Sequence, residues 1–306
     1  MSGAPSNSSR VAIFANPYSG HRDNRPLVES LARAIELRGL QPHLIWTIAE
    51  LEALSADPTL PSHRAIVACG GDGTIHRVIN RRLPIPLATF PLGTANLFAG
   101  QFGYRRDVYQ MAEALAGGRT RAIDLGRIGE TCFSVVASAG FDGAVAHALA
   151  DWRNAGSHLR RVTYLSYPRH ILGTIWNYAY PMMEIETDTG FKGRGALVMV
   201  FNMPRYGFNF HICDRAIDDD GLLDYVIFQN PGRLALTRYS LNLALRRHLK
   251  LKDVHTGRAR SIHLSCPGAI PLEQDGEAAG FAPCHFTALP RALNVILPDC
   301  KTAKAQ

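Results

Sequence analysis

The chain has 306 residues, of which 46% are hydrophobic and 19% are charged. This balance is typical of a globular protein with a buried core and excludes a disordered chain. The formal net charge of +7 favours an anionic partner, such as a nucleotide or an anionic membrane surface. No recognisable nucleic-acid module accompanies the charge, so no nucleic-acid partner is predicted.

The sequence shows few signals for membrane insertion, secretion or disulfide formation. No stretch approaches the roughly 18 uninterrupted apolar residues of a membrane span, so no transmembrane segment is predicted. Six cysteines are scattered without metal-type spacing, which predicts free thiols in a reducing cytoplasm. Residues 1–9 are polar and lack an apolar signal core, and we interpret them as a disordered tail.

The first third of the chain alternates between apolar runs and helical patterns. Short apolar runs at 10–17, 41–48 and 64–69 alternate with helical spacing at 26–40 and 49–56. Strands that alternate with helices indicate a parallel sheet, whose ligands bind beyond the carboxyl ends of its strands.

From about residue 122 onward the pattern changes to short alternating runs bounded by Gly, Pro, Asn and Asp. Such runs are typical of antiparallel strands. Two helical patterns interrupt them, at 158–180 and 233–250. The predicted fold class is therefore α/β plus all-β, with a parallel βα nucleotide-binding domain followed by an antiparallel β-sandwich-type domain.

The same change of pattern sets the predicted domain boundaries. We place the nucleotide-binding domain at 10–124 and the β-rich domain at 125–290. The last segment, 291–306, is expected to form a C-terminal strand and tail that pack back on the first domain.

One glycine-rich turn stands out in the first domain. The stretch CGGDGTIHRVIN, residues 69–80, places three glycines and an aspartate between an apolar strand and a helical pattern. Glycine admits positive φ and lets the backbone approach a ligand closely, while a helix N-terminus attracts anions. The turn therefore suits a phosphate group, although a tight turn in an ordinary α/β protein fits it about equally well.

Five segments occur in one order that is similar to a known family. They are NPYSG (16–20), GGDGTIHRVIN (70–80), PLGTANLFA (91–99), DDDGLLD (218–224) and QDGE (274–277). Together they resemble the catalytic region of the diacylglycerol kinase and sphingosine kinase superfamily, in particular the bacterial soluble lipid kinases. GGDGT is shared with NAD kinases, whereas the ordered set ending in DGE is more specific. The resemblance spans about residues 10 to 298 and implies an NAD kinase-like nucleotide domain.

The resemblance implies a nucleotide site at the carboxyl ends of the first strands. The chain has no GxxxxGK[ST] motif, so backbone N–H groups and a metal ion would carry more of the phosphate charge. The residues implied for nucleotide binding are Asn16, Pro17, Ser19, Gly20, Thr47, Gly70, Gly71, Asp72, Gly73, Thr74, Thr94 and Asn96.

The DGE segment is implied to supply the catalytic base. Asp275 and Glu277 are two residues apart, so on an extended segment both carboxylates would project from one face. Paired acids can share a proton, which suits a base that takes a hydroxyl proton. Glu277 is the first choice and Asp275 the second, while Asp72 and Asp124 would complete an acidic network around catalytic Mg²⁺. Alone, QDGE would indicate only an Asp-Gly hairpin turn.

A second, structural cation site is implied by AIDDDGLLD. It would use the carbonyls of Ile217 and Leu222 and the side chain of Asp220, since oxygen ligands suit a hard cation. An acidic β-turn before a strand is the alternative on spacing alone.

Three places depart from the usual pattern of the family, and one of them is the loop RYGFNFHICDRA (205–216), which keeps only Gly207 of a glycine-rich segment. His76 and Arg77 stand where Asn-Glu is usual, and Leu97 stands where an aspartate often follows GTAN. The missing carboxylate at Leu97 bears on which acceptor the protein uses.

The resemblance implies an ATP- and Mg²⁺-dependent lipid kinase that is cytoplasmic and associates peripherally with the inner membrane leaflet. Diacylglycerol, giving phosphatidic acid, is the leading acceptor. Phosphatidylglycerol, a sphingoid base or a soluble polyol are alternative acceptors. An NAD kinase is disfavoured because the DGE set has no role there, and a non-catalytic nucleotide-binding regulator is the alternative of another class.

Overall fold

A computed structural model of the chain describes residues 9–16, 23–155, 167–207 and 210–298. The chain divides into two compact units, Met1–Ile123 with Ala292–Gln306, and Asp124–Arg291, which we call the first and second units. The segment 1–8, most of the predicted N-terminal tail, lies outside the described residues.

The first unit alternates strands and helices. In chain order they are β1 (Arg10–Ala15), α1 (Arg25–Glu36), β2 (Gln41–Ile45), α2 (Ile48–Ser55), β3 (Ala65–Gly70), α3 (Asp72–Ile79), β4 (Leu87–Pro91), α4 (Leu97–Phe102) and α5 (Val108–Gly117).

The strands of the first unit form a parallel sheet in the order β2-β1-β3-β4. All six residues of β3 are buried, as are all but the first residue of β1. Continuous burial is expected of central parallel strands, which are covered on both faces. The carboxyl ends of β3 and β4 lie side by side, with Gly70 opposite Pro91.

The second unit is built mainly from strands. Its elements are β5 (Thr120–Ile128), β6 (Thr131–Phe133), β7 (Val136–Gly140), α6 (Phe141–Asn154), α7 (Tyr167–Asn177), β8 (Met183–Thr187), β9 (Lys192–Gly195), β10 (Leu197–Phe201), β11 (Leu223–Phe228), α8 (Arg233–Ala244), β12 (Val254–Ala259), β13 (Ser261–Ser265), β14 (Ile270–Gln274), β15 (Glu277–Ala282) and β16 (Cys284–Ile296).

One sheet of the second unit is a fully antiparallel path, β12-β11-β10-β7-β14-β15. The strands β8, β9, β13 and the first part of β16 form further antiparallel pairs. Apolar side chains from both groups of strands build one core, in which the rings of Phe133 and Phe286 meet edge to face at 6.5 Å. Alternating inward residues on two strand layers are the pattern of a β-sandwich.

Two strands run from one unit into the other. β5 begins in the first unit and continues into the second, and β16 returns, so that Val295 pairs in parallel with Leu87 of β4. The last strand of the chain thereby becomes part of the sheet of the first unit.

The predicted fold class, α/β followed by an antiparallel β unit, is confirmed. Several helices differ from their predicted extents: α8 ends at Ala244, and the pattern at 158–180 gives α7 only from Tyr167, since residues 156–166 lie outside the described part. The sequence analysis missed α6, because its start at Gly140 and Gly143 has the glycine content of a turn.

Candidate active site

The glycine turn after β3 is shaped by a close contact within the turn. A Cβ on Gly70 would lie 2.1 Å from Oγ1 of Thr74, whose side chain folds back over the end of the strand. Gly71 is the N-cap of α3, and no side chain in the described part of the chain caps this helix. The amide of Thr74 donates to the carbonyl of Gly71 at 2.9 Å. A helix start without a side-chain cap is the arrangement that anions prefer.

A second turn, after β4, packs directly against the first. A Cβ on Gly93 would lie 2.4 Å from Cα of Gly71, so glycine at 93 lets the two backbones touch. Asn96 adopts φ of 51° as the N-cap of α4, and its Oδ1 accepts a hydrogen bond from the Gly93 amide at 2.9 Å. Its Nδ2 donates to the carbonyl of Gly93 at 2.8 Å. The turn is thus closed by its own side chain.

Asp72 joins the two turns. Its Oδ1 accepts a hydrogen bond from the amide of Phe98, in the first turn of α4, at 3.1 Å. The starts of α3 and α4 are therefore held together, with Gly70 to Thr74 on one side and Thr94 and Asn96 on the other. The predicted metal contact of Asp72 remains a prediction, and its observed bond is structural.

The other residues implied for nucleotide binding are only partly in the described chain. The amide of Asn16 donates to the carbonyl of Cys69 at 3.1 Å, which places Asn16 at the carboxyl end of β3. Thr47 is the N-cap of α2, where its hydroxyl accepts from the amide of Glu50 in a capping box. Pro17, Ser19 and Gly20 lie outside the described residues.

Of the positions that depart from the family pattern, Arg77 is exposed on α3. Leu97 is the half-buried first residue of α4. Neither side chain adds an acid to the two turns.

The DGE segment in the second unit is a two-residue hairpin between β14 and β15. Asp275 has φ of 49° and Gly276 has φ of 85°, the left-handed values of a type I′ turn. The expectation that Asp275 and Glu277 project from one face of an extended segment is wrong, because two left-handed residues reverse the chain between them. The Asp-Gly hairpin, named as the structural alternative, is therefore present.

The carboxylate of Asp275 is held by a neighbouring loop. Oδ1 accepts from the amides of Val135 and Val136 at 2.8 and 3.1 Å, and Oδ2 accepts from the amide and hydroxyl of Ser134 at 2.7 and 3.0 Å. Four donors around one buried carboxylate fix the turn against the loop before β7.

Glu277 has different surroundings. It begins β15, is half-buried, and forms an ion pair with Arg153 near the end of α6 at 2.9 Å. A second nitrogen of the same guanidinium lies 3.4 Å from the other carboxylate oxygen. Arg153, which the sequence analysis did not assign, therefore orients the first-choice base.

Asp124 is fully buried and organises two turns of the second unit. Its Oδ2 accepts from the amide of Gly221 at 2.6 Å and its Oδ1 from the amide of Arg291 at 2.7 Å. Its own amide donates to the carbonyl of Asp218 at 2.7 Å. These bonds give Asp124 a structural role, while its predicted place in a metal network remains a prediction.

The segment predicted to hold a second cation already has a cationic partner. Asp220 forms an ion pair with Arg258 through Oδ2, and its Oδ1 accepts from the amide of Leu222 at 3.0 Å, as in an Asx turn. Ile217 lies nearby in the same turn and is exposed. Among the described residues, no group of three or more His, Cys, Asp or Glu side chains is placed to hold a metal ion. A cation at Asp220 would have to displace Arg258.

Family models cover both units. Residues 10–128 match the diacylglycerol kinase catalytic domain, and residues 135–297 match the YegS C-terminal NAD kinase beta sandwich-like domain. The chain belongs to the YegS and diacylglycerol kinase family. The predicted resemblance and the predicted enzyme class, a lipid kinase, are confirmed.

Individual relatives of this family match nearly the whole chain. A protein named diacylglycerol kinase from Mycobacterium tuberculosis strain H37Rv is 29% identical over 94% of this chain and 95% of its own. A protein named as a YegS-like lipid kinase from Pseudomonas syringae pv. tomato strain DC3000 is 30% identical over 85% of this chain and 84% of its own. A solved structure of a diacylglycerol kinase from Bacillus anthracis strain Sterne has a TM-score of 0.73 at 20% identity, covers 97% and 99% of the two chains, and shows the shared fold.

A buried acid behind the DGE turn of this lipid kinase was missed by the sequence analysis. Glu273 in β14 is 3% exposed, and its Oε2 accepts from the amide of Gly276 at 2.8 Å. No donor in the described chain reaches its Oε1. A charged residue directly after the apolar run Ile270–Leu272 of the strand was the available signal.

A second acid lies beside Glu273. Asp142, in the first turn of α6, accepts from the hydroxyls of Ser138 at 3.0 Å and Tyr206 at 2.6 Å. Burial raises the pKa of both carboxyls, and the charge of Asp142 raises the pKa of Glu273 further. The interior behind the turn thus favours the protonated form of these two buried carboxyls.

Proposed function

We propose that this lipid kinase transfers the γ-phosphoryl group of ATP to the free hydroxyl of diacylglycerol, giving phosphatidic acid, in a reaction that requires Mg²⁺. The observation that carries the proposal is the DGE hairpin. One carboxylate, Asp275, is held by four donors, and this fixes a second carboxylate, Glu277, at the start of the next strand within reach of solvent. The relatives named diacylglycerol kinase, matched over most of the chain, support the choice of acceptor.

The two glycine turns of the first unit suit the triphosphate. Their close backbone contact at Gly71 and Gly93 leaves helix-start amides without side chains in the way. Such amides stabilise the negative charge on the oxygens of the phosphoryl group while it is transferred, and the backbone does not have to move to do so. We assign Gly70, Gly71, Gly73 and Thr74 to this role, with Thr94 from the neighbouring turn.

The donor set fits an Mg²⁺ ion that reaches the protein with ATP. Mg²⁺ keeps several waters and uses one or two protein carboxylates together with substrate phosphates. Asp72, at the start of α3, and Asp124 are the carboxylates we assign to it, because the resemblance to the family implies both for an acidic network around the ion. Bound Mg²⁺ would neutralise charge on the phosphates. The second cation at Ile217, Asp220 and Leu222 remains a prediction.

Proton removal from the acceptor is assigned to Glu277. Its carboxylate accepts the hydroxyl proton while Arg153 holds its orientation, and Asp275 keeps the turn in place. Asp275 is the second choice of base. A bilayer acceptor also implies that the protein works at the inner membrane leaflet. In the described residues no helix is long and apolar enough to span a bilayer.

The proposal is tested by transfer of labelled γ-phosphate from ATP to lipids in nonionic mixed micelles. The acceptors are diacylglycerol, phosphatidylglycerol, monoacylglycerol and sphingosine, with glycerol and NAD as soluble acceptors. We expect label in diacylglycerol, dependent on Mg²⁺, and a fall of about a hundredfold or more in Glu277→Gln. Glu184→Gln is the matched control, since Glu184 is an exposed glutamate paired with Arg194 in the same unit.

The outcomes separate the candidate functions. If the label appears in another lipid or in a polyol, the proposed acceptor is wrong, but the protein is still a kinase. ATP binding without label in any acceptor overturns the proposal in favour of a nucleotide-binding regulator. Full activity in Glu277→Gln, with loss only in a folded Asp275→Asn, moves the base to Asp275.

A further inference from the structure

Helix α8 exposes large apolar side chains along one stripe. Leu234, Leu241 and Leu245 follow each other at intervals of seven and four residues, which places them on one helical face. Leu234 is 89% exposed and Leu241 is 62% exposed, and Leu249, in the turn after the helix, is also exposed. Exposed leucines in a row are unusual for a surface that meets only water.

The exposure is not the result of a loosely attached helix. Tyr239, on the opposite face of α8, is buried with its ring 4.9 Å from that of Phe228 in β11. Its hydroxyl donates to Asp253, which also pairs with Arg238. One face of α8 is therefore anchored to the sheet while the leucine face points outward.

The same segment is strongly and uniformly positive. Residues 233–252 contain six Lys or Arg residues and no Asp or Glu. Four of these cations are exposed and form no ion pair with any residue that the structure describes, namely Arg246, Arg247, Lys250 and Lys252. Apolar side chains ringed by cations are the composition of a surface that lies on an anionic bilayer.

Helix α7 extends this surface. Trp176 is 66% exposed, and the guanidinium of Arg233 lies over its ring at 4.6 Å from the centroid. Leu172, one turn earlier, is exposed on the same side of α7. Tryptophan with an adjacent arginine is typical of the membrane–water interface.

The surface also has a continuous connection to the DGE turn within the second unit. The ring of His170 in α7 lies 5.5 Å from that of Trp152 in α6, and the next residue, Arg153, pairs with Glu277. Docking at α7 and α8 would therefore hold the helix that orients the assigned base.

Charge decides between the occupants that an apolar face can have. In a two-fold dimer the same patch meets itself, so a second copy would bring this cationic patch against its own copy, and residues 233–252 contain no acid to pair with it. An anionic bilayer instead accepts both the leucines and the cations.

We propose that the docking face, defined by Leu172, Trp176, Leu234, Leu241, Leu245 and Leu249 with the surrounding cations, binds the surface of a bilayer rich in anionic phospholipids. The inference rests on the proposed function, because diacylglycerol is presented to the enzyme in such a bilayer.

The experiment is flotation of the full chain with vesicles, without ATP. Vesicles of phosphatidylcholine alone are compared with equimolar phosphatidylglycerol and phosphatidylcholine. We expect the protein to bind the anionic vesicles about tenfold or more tighter than the phosphatidylcholine vesicles. The affinity for anionic vesicles should fall about tenfold in each of two double variants, Arg246→Glu with Arg247→Glu and Leu241→Ser with Leu245→Ser. Leu37→Ser and Arg260→Glu, at exposed sites that are not part of these helices, should bind as the unchanged protein does. Melting temperatures exclude unfolded variants.

The outcomes distinguish this inference from the proposed function. Equal binding by all variants, or no preference for anionic vesicles, overturns the docking face. The docking face is also overturned if the unchanged protein forms a dimer and binds no vesicles, and the leucine variants are monomers. A second copy of the chain would then cover the leucines. Phosphorylation of short-chain diacylglycerol in nonionic micelles should be unchanged in the docking variants. Vesicle binding without lipid phosphorylation would retain the docking face and reject the proposed function.

Discussion

The glycine turns of the first unit and the DGE turn of the second unit are held by different kinds of contact. In the first unit two backbones touch at Gly71 and Gly93, and the side chains that help are those of Asp72 and Asn96. In the second unit, the Asp275 carboxylate binds four donors from a loop that lies far away in the chain.

This difference determines what each turn is sensitive to. A turn made mainly of backbone contacts is disrupted by added volume and depends less on pH. A turn made of buried carboxylates tolerates volume poorly too, but it depends above all on charge and on protonation. Substitutions that change charge without changing shape should therefore separate the two turns.

The largest effect is expected for Asp275→Asn. The amide keeps the shape but loses one acceptor oxygen and brings an N–H₂ group against backbone donors. We expect the free energy of unfolding to fall by about 2–4 kcal/mol, measured by urea denaturation. Glu184→Gln, at an exposed ion pair, should change it by less than about 0.5 kcal/mol. Equal stability of the two variants would show that the four donors do not hold the turn.

A smaller effect is expected for Gly93→Ala, which adds volume and no charge. Its Cβ would meet the Cα of Gly71, so the two turns must separate. We expect a loss of about 1–3 kcal/mol in the free energy of unfolding and about a tenfold weaker ATP affinity by calorimetry. Gly117→Ala in α5 has no atom within 4 Å of the new Cβ and serves as the control. Unchanged ATP affinity in a folded Gly93→Ala would remove the second turn from the nucleotide site.

The smallest effect for a given change in conditions is the pH dependence contributed by Glu273, because it is spread over several pH units. Burial and the charge of Asp142 raise its pKa above the ordinary value of 4.5, so the native state keeps a proton that the unfolded chain releases. The free energy of unfolding should therefore fall as pH rises above that value, by at most about 1.4 kcal/mol per pH unit for one proton. Urea denaturation from pH 5 to 8 should show a shallower fall in Glu273→Gln. Parallel profiles for the two proteins would reject the raised pKa.

The structure shows how far the site could be predicted from the sequence. The glycine turn was predictable because Gly70 and Thr74, which meet in it, are four residues apart. The DGE turn was recognised as a motif, and its Asp-Gly pair already indicated a hairpin, yet the extended geometry chosen for it was wrong. The sequence did not show that the loop from Ser134 to Val136 donates to the Asp275 carboxylate. Likewise, Glu273 was visible in the sequence, but its burial was not.

The sequence by itself determined the family, the parallel and antiparallel halves of the fold, and the turns that carry glycine. These depend on local periodicity and on backbone freedom, which neighbouring residues fix. Only the tertiary structure decided which partner each carboxylate takes. Arg153 and Glu277 are 124 residues apart, and the loop that holds Asp275 is about as distant. A buried charge is stable only beside the donors that packing brings to it, and packing is a property of the whole folded unit.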